Sequence, residues 1–477
     1  MRQLRIYIAI FILTIVSCKK VLDIEPENFL QNEDAITTPA DLNNLVESIY
    51  DGMQNGLTLG GNRYIYGELF SDDADVLESQ LNAFGTLEIY NRTMTSQISD
   101  LRNMWREGYS TINRANNVIR VIENGSLETH ENYNPQNFAI YHATALFARA
   151  AIHFEMVRFW GSSYDTDQSG GNSQLGIPYR LQPTLEGPEG LDIARNSVEE
   201  VYSNAISDLQ KSIDLLTPFG NGSAIYTDWH RHKVDVWSAK AYLSRILFFK
   251  GEYTEASAIC EEIISSGNFS LSNSPKENFI QSAQNYTDGQ IFQLTSIAED
   301  QSGNPAWGYS RFGSPLFYPK NDVMDKFHLN DSRLTDSEGY LYVSFFGDST
   351  ISKYDLPNAV NGINMCVLRL AEVYLNAAEA NLSPGGNGNS TRSADLYAEL
   401  YQLRTGTLPA IPSTSDSLLV EIQKERRLEL MFEGDRYHNL KRMKLPLRGG
   451  VPYNDPSVLF KIPQEEMSGN SLMIQNP

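Results

Sequence analysis

The sequence predicts a mainly α-helical protein in which helical hairpins stack into a superhelical scaffold, interrupted by an irregular, loop-rich insertion with short strands. Three observations lead to this prediction. Apolar residues recur at helical spacing through most of the chain. One segment has the pattern of two helices joined by a tight turn, and residues 272–362 lose the helical pattern and gain Gly and Pro breaks. The 41% hydrophobic and 20% charged residues are ordinary for a globular protein.

The beginning of the chain has the layout of an export signal. Arg2 and Arg5 form a basic start. The apolar run from Ile6 to Val16 is well short of the roughly 20 residues that a membrane-spanning helix needs.

The stretch Ile15-Val16-Ser17 runs directly into Cys18 and resembles the bacterial lipobox. In lipoproteins this cysteine is acylated and the chain is cut before it, so that the acyl chains hold a soluble domain to a membrane. The sequence therefore predicts a signal peptide over residues 1–17 and a lipidated tether over 18–37. The alternative is an ordinary secretory signal with a chance cysteine.

A single helical domain is expected over residues 38–477. Its first amphipathic helices are indicated by two apolar stripes, Leu42, Leu45, Val46 and Ile49, then Trp105, Tyr109, Ile112, Ala115 and Ile119. Residues 138–160 are apolar around much of the helix, which predicts deep burial. Residues 161–190 are too rich in Gly and Pro for regular structure, and Ser197 with Glu200 forms a capping box for the next helix.

The clearest hairpin covers residues 237–271. Its turn is Lys250-Gly251-Glu252, with the small Ser244 and Ala256 placed where two helices would cross closely. This pattern is typical of a tetratricopeptide-like hairpin. Looser matches cover residues 367–382 with 393–406, and residues 138–216 with an expanded turn.

The insertion at 272–362 is expected to hold the ligand region of the predicted fold. It contains the strand-like pieces "GQIFQLTSI" and "GYLYVSFFG". Trp105 and Trp237 stand in helical stripes and are expected in the core. Cys260 and Cys366 are expected to be inert core thiols, because the chain has no disulfide or metal-binding cysteine pattern.

Four segments, in order, resemble the SusD/RagB family of nutrient-binding outer-membrane lipoproteins of Bacteroidetes. They are "DIARNSVEEVYSNAISDLQKSI", "AKAYLSRILFFKGEYTEAS", "VLRLAEVYLNAAEA" and "EIQKERRLELMFEGDRYHNLKRM". One departure is His438, near a place where members often carry Trp or an acidic residue. The resemblance covers essentially the whole chain after the signal.

The resemblance implies a SusD-like protein that captures glycan at the cell surface and delivers it to a SusC-like TonB-dependent outer-membrane barrel. It implies no enzyme activity, no cofactor besides the lipid on Cys18, and no metal. Nucleic acid is an unexpected partner because the net charge is −21. The alternative function is a membrane-anchored tetratricopeptide-type scaffold for protein interactions.

Candidate ligand residues are aromatic and polar residues on loops, because sugar rings stack on aromatic faces while polar groups satisfy the hydroxyls. Trp307, Tyr309 and Phe312 in "NPAWGYSRFG" are the first choice. Asn82 and Phe84 in "SQLNAFG" are the second. Core packing is an equal alternative for Trp307 and the favoured one for Phe84.

Three further clusters are expected to be structural or solvated. Glu425, Glu429 and Glu433 alternate with arginines, which favours ion pairing between helices over a glycosidase carboxylate pair. The "SDDAD" stretch at 71–75 is expected to be a solvated acidic turn rather than a calcium site. His230 and His232 are expected at the surface rather than on a metal.

Overall fold

The computed structural model describes most of the chain, and helices dominate it. The described residues are 36–81, 85–167, 171–184, 192–219, 230–281, 285–297, 300, 305–309, 315–334, 339–343, 349–355 and 362–477. The expected signal peptide, Cys18 and most of the tether lie outside these ranges. Within them, no helix is both long and apolar enough to cross a membrane.

The helices and strands are numbered here in chain order. The helices are α1 Pro39–Gln54, α2 Asn62–Phe70, α3 Thr86–Asn91, α4 Ser99–Glu123, α5 Pro135–Trp160, α6 Val198–Leu216, α7 Val236–Lys250, α8 Tyr253–Ser265, α9 Ala306–Tyr309, α10 Asn321–Met324, α11 Leu370–Leu382, α12 Ser390–Thr405, α13 Ser415–Glu429, α14 Asp435–Arg442 and α15 Gln464–Gly469. The strands are β1 Ala74–Val76, β2 Gln290–Leu294, β3 Phe317–Pro319, β4 Leu341–Val343, β5 Ser349–Ile351 and β6 Met365–Arg369.

All three predicted hairpins are present, as the pairs α5–α6, α7–α8 and α11–α12. Helix α5 packs between α4 and α6, and its aromatic residues Phe147 and Phe154 are fully buried. Phe154 contacts Tyr202 of α6 and Tyr242 of α7 edge-on, with ring centroids 5.4 and 6.2 Å apart. The predicted deep burial of residues 138–160 is thus confirmed.

The α7–α8 hairpin has the glycine turn and the small residues that its sequence predicts, together with a cap at the start of α7. Asp235 and Ser238 form a capping box at the start of α7. Gly251 ends that helix with φ of 86°, a left-handed conformation that glycine adopts without a Cβ penalty. Ser244 and Ala256 are fully buried, as a close crossing of the two helices requires.

Buried ion pairs join helices of different layers. Arg245 of α7 donates two hydrogen bonds, of 2.7 and 2.6 Å, to the carboxylate of Glu372 on α11. Glu155 of α5 lies 2.9 Å from Arg63 of α2. Forked pairs of this kind fix both distance and orientation, so they help to set how one helix layer sits on the next.

The strands form three small antiparallel pairs, β1–β3, β2–β6 and β4–β5. Strands β2 and β4 lie within the two predicted strand-like pieces. The hairpin predicted at 367–382 with 393–406 begins later than expected. Residues 367–369 are extended and belong to β6, and α11 begins only at Leu370. Residues 365–369 are all buried and pair with β2, so backbone pairing along β2 replaces the first helical turn.

The C-terminal tail closes back onto the middle of the chain around Arg195. This buried arginine donates to the carbonyl oxygens of Gly176 at 2.6 Å and Ile474 at 3.0 Å, and to the Asn476 side chain at 2.9 Å. Burial lowers the pKa of Arg195 to about 10, which leaves it protonated at neutral pH. The end of the chain therefore supplies acceptors to a buried cation.

Two further expectations concern single residues in the core. Trp105 is buried, and the half-buried Trp237 packs against the core. Cys260 and Cys366 are buried, and burial raises the pKa of both thiols to about 12, so these cysteines are unreactive near neutral pH.

Candidate functional site

Strands β1 and β3 bring together the two chain segments that carry the predicted ligand residues. The Leu77 amide donates to the Leu316 carbonyl at 2.9 Å, and the Leu316 amide donates to the Gly308 carbonyl at 2.8 Å. The chain before Asn82 and the chain around Trp307 are therefore neighbours, although they are more than 200 residues apart in sequence.

The exposed side of this unit carries Asp75, Leu77 and Tyr318, and we call it the paired-strand face. Asp75 is directly opposite Tyr318 in the antiparallel register, so their side chains point to the same side. Asp75 is exposed and Tyr318 is half-buried, whereas Ala74 and Phe317 are buried on the other side. An exposed carboxylate can accept hydrogen bonds from sugar hydroxyls, and an accessible aromatic ring beside it can stack on the sugar ring.

The five predicted ligand residues have different outcomes. Trp307 lies in the short helix α9, next to Gly308, but its side chain is outside the described structure. Phe312, Asn82 and Phe84 also lie outside the described residues. Their roles, like that of Trp307, stay predictions.

Tyr309 is fully buried, in contrast to the predicted ligand contact. Its ring stacks on Tyr354 with centroids 5.5 Å apart and packs against Phe317 and Phe432 at 5.1 and 5.4 Å. Its hydroxyl donates to the Tyr64 carbonyl at 3.3 Å. Because protein surrounds the ring, Tyr309 supports the paired-strand face from beneath.

The acidic turn before β1 is an ion-pair cluster, so the prediction of a solvated turn is wrong. Asp73 is fully buried, and the Arg427 Nε donates to its carboxylate at 2.6 Å. Arg436 donates to both oxygens of Asp72, at 2.6 and 2.9 Å. The guanidinium groups of Arg427 and Arg436 thus balance the charge of this turn.

The C-terminal signature segment forms a second, larger cluster around Glu429. Arg404 donates to both Glu429 oxygens at 3.0 Å, while Arg369 and Arg333 reach them at 2.7 and 3.1 Å. Arg333 also pairs with Glu425 at 2.7 Å. Burial alone would raise the pKa of Glu429, but the arginines hold it well below its usual range. The expected ion pairing is confirmed at Glu425 and Glu429.

The same segment supports the paired-strand face directly. Phe432, which packs on Tyr309, has a φ of 64°, and the adjoining Gly434 has a φ of 74°. A Cβ at Gly434 would lie 2.8 Å from the Tyr64 ring and 3.0 Å from the Tyr64 Cα, so only glycine fits there. Arg427 and Arg436 flank this turn. The signature therefore fixes the acidic turn and the core beneath the face in one arrangement.

Comparison with known proteins identifies the family. A family model described as "Starch-binding associating with outer membrane" matches residues 20–248, and the SusD family model matches residues 319–456. The chain belongs to the SusD/RagB family.

Relatives within this family match over most of their length. The chain is 25% identical to SusD-like protein P38 of Formosa agariphila, over 92% of this chain and 90% of that protein. It is 21% identical to a SusD-like protein of Bacteroides ovatus, over 74% and 68% of the two chains.

Solved structures of SusD-like proteins share the fold. A SusD superfamily protein of Bacteroides thetaiotaomicron has a TM-score of 0.75 at 21% identity, with 92% of this chain and 100% of that chain covered. A SusD-like carbohydrate binding protein of Bacteroides vulgatus has a TM-score of 0.74 at 16% identity, with 92% and 98% covered. The mainly α-helical, tetratricopeptide-like fold is thus confirmed for this SusD/RagB member.

One of the two histidines that were expected at the surface is buried. His232 is buried, not at the surface, and its Nε2 lies 3.4 Å from the Gln293 side chain. The side chain of His230 is outside the described structure. Among the residues that the structure describes, no group of three or more His, Cys, Asp or Glu side chains is placed to hold a metal ion.

Asp75 and Tyr318 were missed as ligand candidates in this SusD/RagB chain. Each lies in a strand of three residues, which is too short for alternation to stand out in a sequence. The sequence signal that could have indicated them is the polar Asp75 between apolar neighbours in "ADV" and the amphipathic Tyr318 between apolar neighbours in "FYP". Only the long-range pairing reveals that the two residues share a face.

Proposed function

We propose that this chain is a cell-surface glycan-binding lipoprotein that captures oligosaccharide on the paired-strand face and delivers it to a SusC-like TonB-dependent outer-membrane transporter. The observation that carries the proposal is the convergence of Asp75 and Tyr318 with the Trp307 segment, in a member of the SusD/RagB family. The descriptions of the matching family model and of related proteins as starch or carbohydrate binding support the ligand class.

Binding at this face would be physical rather than catalytic. A sugar ring lays its C–H face on an aromatic ring, and Tyr318 offers such a ring at the edge of β3. Asp75, opposite it, accepts hydrogen bonds from two sugar hydroxyls. Each hydroxyl needs a partner, because an unpaired buried polar group costs about 1–3 kcal/mol. The rigid core under the face keeps the ring and carboxylate in place before the ligand arrives.

Anchoring and delivery form the second part of the proposal. Acyl chains on Cys18 would hold the domain to the outer membrane, and residues 18–37 would give it room to move over the barrel. The lipobox-like stretch before Cys18 and the family description "associating with outer membrane" support this arrangement.

Isothermal titration of the mature chain against a glycan panel tests the face. We expect Asp75→Ala/Tyr318→Ala to weaken binding at least about tenfold, since the variant removes a stacking surface and a hydrogen-bond acceptor. Trp307→Ala tests the predicted aromatic in the same assay. The matched control is Asp214→Ala/Tyr453→Ala, which removes an exposed Asp and a half-buried Tyr elsewhere. Equal affinities of the two double variants would contradict the assignment.

Partner and anchor are tested in cells. The wild-type protein should incorporate labelled palmitate, whereas the Cys18→Ala variant should not. Affinity purification from solubilised outer membranes should recover a SusC-like barrel. Recovery of a chaperone or secretion complex instead would favour the protein-interaction scaffold.

A further inference from the structure

A cleft between α4, the loop after α5 and the C-terminal helix α15 plays no part in the function proposed above. Its volume is about 760 Å³, within the range of about 300–1,000 Å³ typical of ligand sites. We call it the α4 cleft and define it by Trp105, Tyr109, Asn113, Arg180 and Glu466. It shares no lining residue with the paired-strand face.

The floor of the α4 cleft is aromatic and held in a fixed orientation, with a half-buried Tyr109 ring and a buried Trp105 ring. Trp105 and Tyr109 are one helical turn apart, with ring centroids separated by 4.9 Å. Trp105 Nε1 donates to the Glu466 carboxylate at 3.3 Å, and the Tyr109 hydroxyl donates to the Pro178 carbonyl at 2.8 Å. Trp160 backs the Trp105 ring at 5.4 Å. The polar ends of both rings are thus already satisfied.

One wall is the loop that contains Arg180 and Thr184, and hydrogen bonds hold it to α4 and α5. Asn116 donates to the Arg180 carbonyl at 3.0 Å, and the Thr184 amide donates to the Asn113 Oδ1 at 2.8 Å. The Arg180 amide donates to His153 Nε2 at 3.1 Å. Burial lowers the pKa of His153 to about 3, so this ring is neutral and able to accept at neutral pH.

Both hydrogen-bond donors and acceptors line this floor. The Thr184 bond orients the Asn113 amide, so its Nδ2 serves as a donor on the same α4 surface as the Ser110 hydroxyl. The Arg180 guanidinium lies 5.7 Å from the Tyr109 ring. Glu466 supplies carboxylate oxygens on the opposite wall. A polyhydroxylated ligand matches this mixture, because each hydroxyl both donates and accepts.

Other ligand classes fit less well. A polyanion would meet Arg102, Arg106 and Arg180, but also Glu465 and Glu466. Arg102 and Arg106 are already paired with Glu465 and Glu107, each at 3.2 Å, and the net charge of −21 opposes the approach of a polyanion. An apolar ligand would remove guanidinium and carboxylate groups from water without replacing their hydrogen bonds, at a cost of several kcal/mol. A neutral sugar avoids both penalties and still uses the aromatic floor.

We infer that the α4 cleft is a second carbohydrate-binding site, which takes a short neutral oligosaccharide independently of the paired-strand face. The two sites would allow one chain to hold two glycan segments. If the segments belong to one polymer, binding of the second segment is intramolecular and raises the apparent affinity above that of either site alone.

A filled-cleft variant tests this inference. Gly469 lines the cleft in the last position of α15, and a Cβ added there meets no described atom within 4 Å. Gly469→Trp therefore blocks the cleft without straining the backbone. The matched control is Ser468→Trp, which adds the same side chain to the exposed neighbouring position outside the cleft. Circular dichroism and thermal melting establish that both variants fold.

Titrations use maltose to maltohexaose and the matching cello-, xylo- and manno-oligosaccharides, with and without Asp75→Ala/Tyr318→Ala. We expect binding to persist in the Asp75/Tyr318 background, to weaken at least about tenfold with Gly469→Trp, and to be unchanged by Ser468→Trp.

The possible outcomes separate the two sites. Complete loss with Asp75→Ala/Tyr318→Ala alone overturns the second site and supports the proposed function. Loss with Gly469→Trp alone supports the α4 cleft and contradicts the paired-strand face. Binding of no probe to the wild type contradicts both sites as receptors for neutral oligosaccharides.

Discussion

Three arginines from separate parts of the chain converge on the single buried carboxylate of Glu429. Arg333 precedes β4, Arg369 ends β6 and Arg404 lies in α12, so Glu429 joins the insertion to two helical layers. Buried pairs of this kind add little net stability over a packed apolar core, but removal of one partner leaves uncompensated charge. Packing of these three elements against one another therefore depends on Glu429.

We predict that Glu429→Gln lowers the free energy of unfolding by about 3–5 kcal/mol, because the arginines stay buried with less negative charge. Urea unfolding followed by circular dichroism measures the loss. Glu262→Gln is the control. The Glu262 side chain is 53% exposed, so its ion pair with Lys240 contributes about 0–1 kcal/mol to stability. Similar losses for both variants would show that the Glu429 cluster contributes no more than a surface pair.

Glu68 gives a prediction with a pH dependence. Burial and the neighbouring Asp73 raise its pKa from 4.5 to about 8, so the carboxyl is protonated in the folded protein at neutral pH. The unfolded chain ionises first as pH rises, and the folded protein therefore loses stability between about pH 4.5 and pH 8.

Glu68→Gln removes this titration and preserves the acceptor for the Ser71 hydroxyl. We predict that the variant matches the wild type near pH 4 and becomes progressively more stable relative to it up to about pH 8, with a constant difference above that pH. Thermal melting across this range is the measurement. A melting-temperature difference that does not change with pH would contradict the assigned burial of the neutral acid.

At the level of residues, local spacing identified the arginine and glutamate clusters but not their depth. The "SDDAD" turn looked solvated because the arginines that bury it lie more than 350 positions away in sequence. Tyr309 looked accessible because its loop contains Gly and Pro. Its burial depends on Phe432 and Tyr354, which only the tertiary structure brings to it.

Among the structural elements, the turn between α13 and α14 has the most restrictive geometry described above. Gly434 is left-handed and lies against Tyr64, whereas Gly406, after α12, is left-handed with no described atom within 4 Å of an added Cβ. The two glycines have nearly equal φ values of 74° and 72°. Alanine substitutions at the two positions would therefore cause similar backbone strain, but only the one at Gly434 would add a steric contact.

We predict that Gly406→Ala costs about 1–2 kcal/mol of stability, the penalty for a left-handed residue with a Cβ. Gly434→Ala should cost clearly more, because Tyr64 must also move, and should weaken glycan binding through the core under the paired-strand face. Chemical denaturation and titration of both variants make the comparison. Equal costs would contradict the close contact with Tyr64.

Helices were predictable from this sequence, whereas the short strands were predictable only in part. The α7–α8 hairpin follows from a cap, a glycine turn and small residues, all of which are local features. Strands β2 and β4 fall within the predicted strand-like pieces. Strand β6 reads as the start of a helix because "VLRLAEVYL" continues the α11 pattern, and its extended form depends on pairing with β2, more than 70 residues earlier. Strands β1 and β3, of three residues each, carry too little periodicity to stand out.

For the whole molecule, the C-terminal tail connects regions far apart in sequence. Asn476 donates to the carbonyl oxygens of Trp160 and Phe460, at 2.8 and 2.7 Å, and accepts from Arg195. The Phe460 amide in turn donates to the Phe159 carbonyl at 3.0 Å. The tail thus joins α5 to the loop that forms one wall of the α4 cleft.

We predict that Asn476→Ala lowers the free energy of unfolding by about 1–3 kcal/mol, because it leaves buried partners of the amide unsatisfied. Leu472→Ala, at an exposed position in the same tail, should change it by no more than about 0.5 kcal/mol. Denaturant unfolding of both variants tests the difference. An Asn476 variant as stable as the Leu472 variant would show that the tail is dispensable.

The position of these contacts makes α5 and the Arg195 region depend on residues far along the chain. Because residues 474 and 476 supply acceptors to Arg195, a chain truncated before residue 474 leaves a buried guanidinium without part of its shell. The contacts of α5 with residues 460 and 476 likewise form only after those residues have been synthesised. A chain that lacks residues 474–477 is therefore less stable and more exposed to proteolysis than one that contains them.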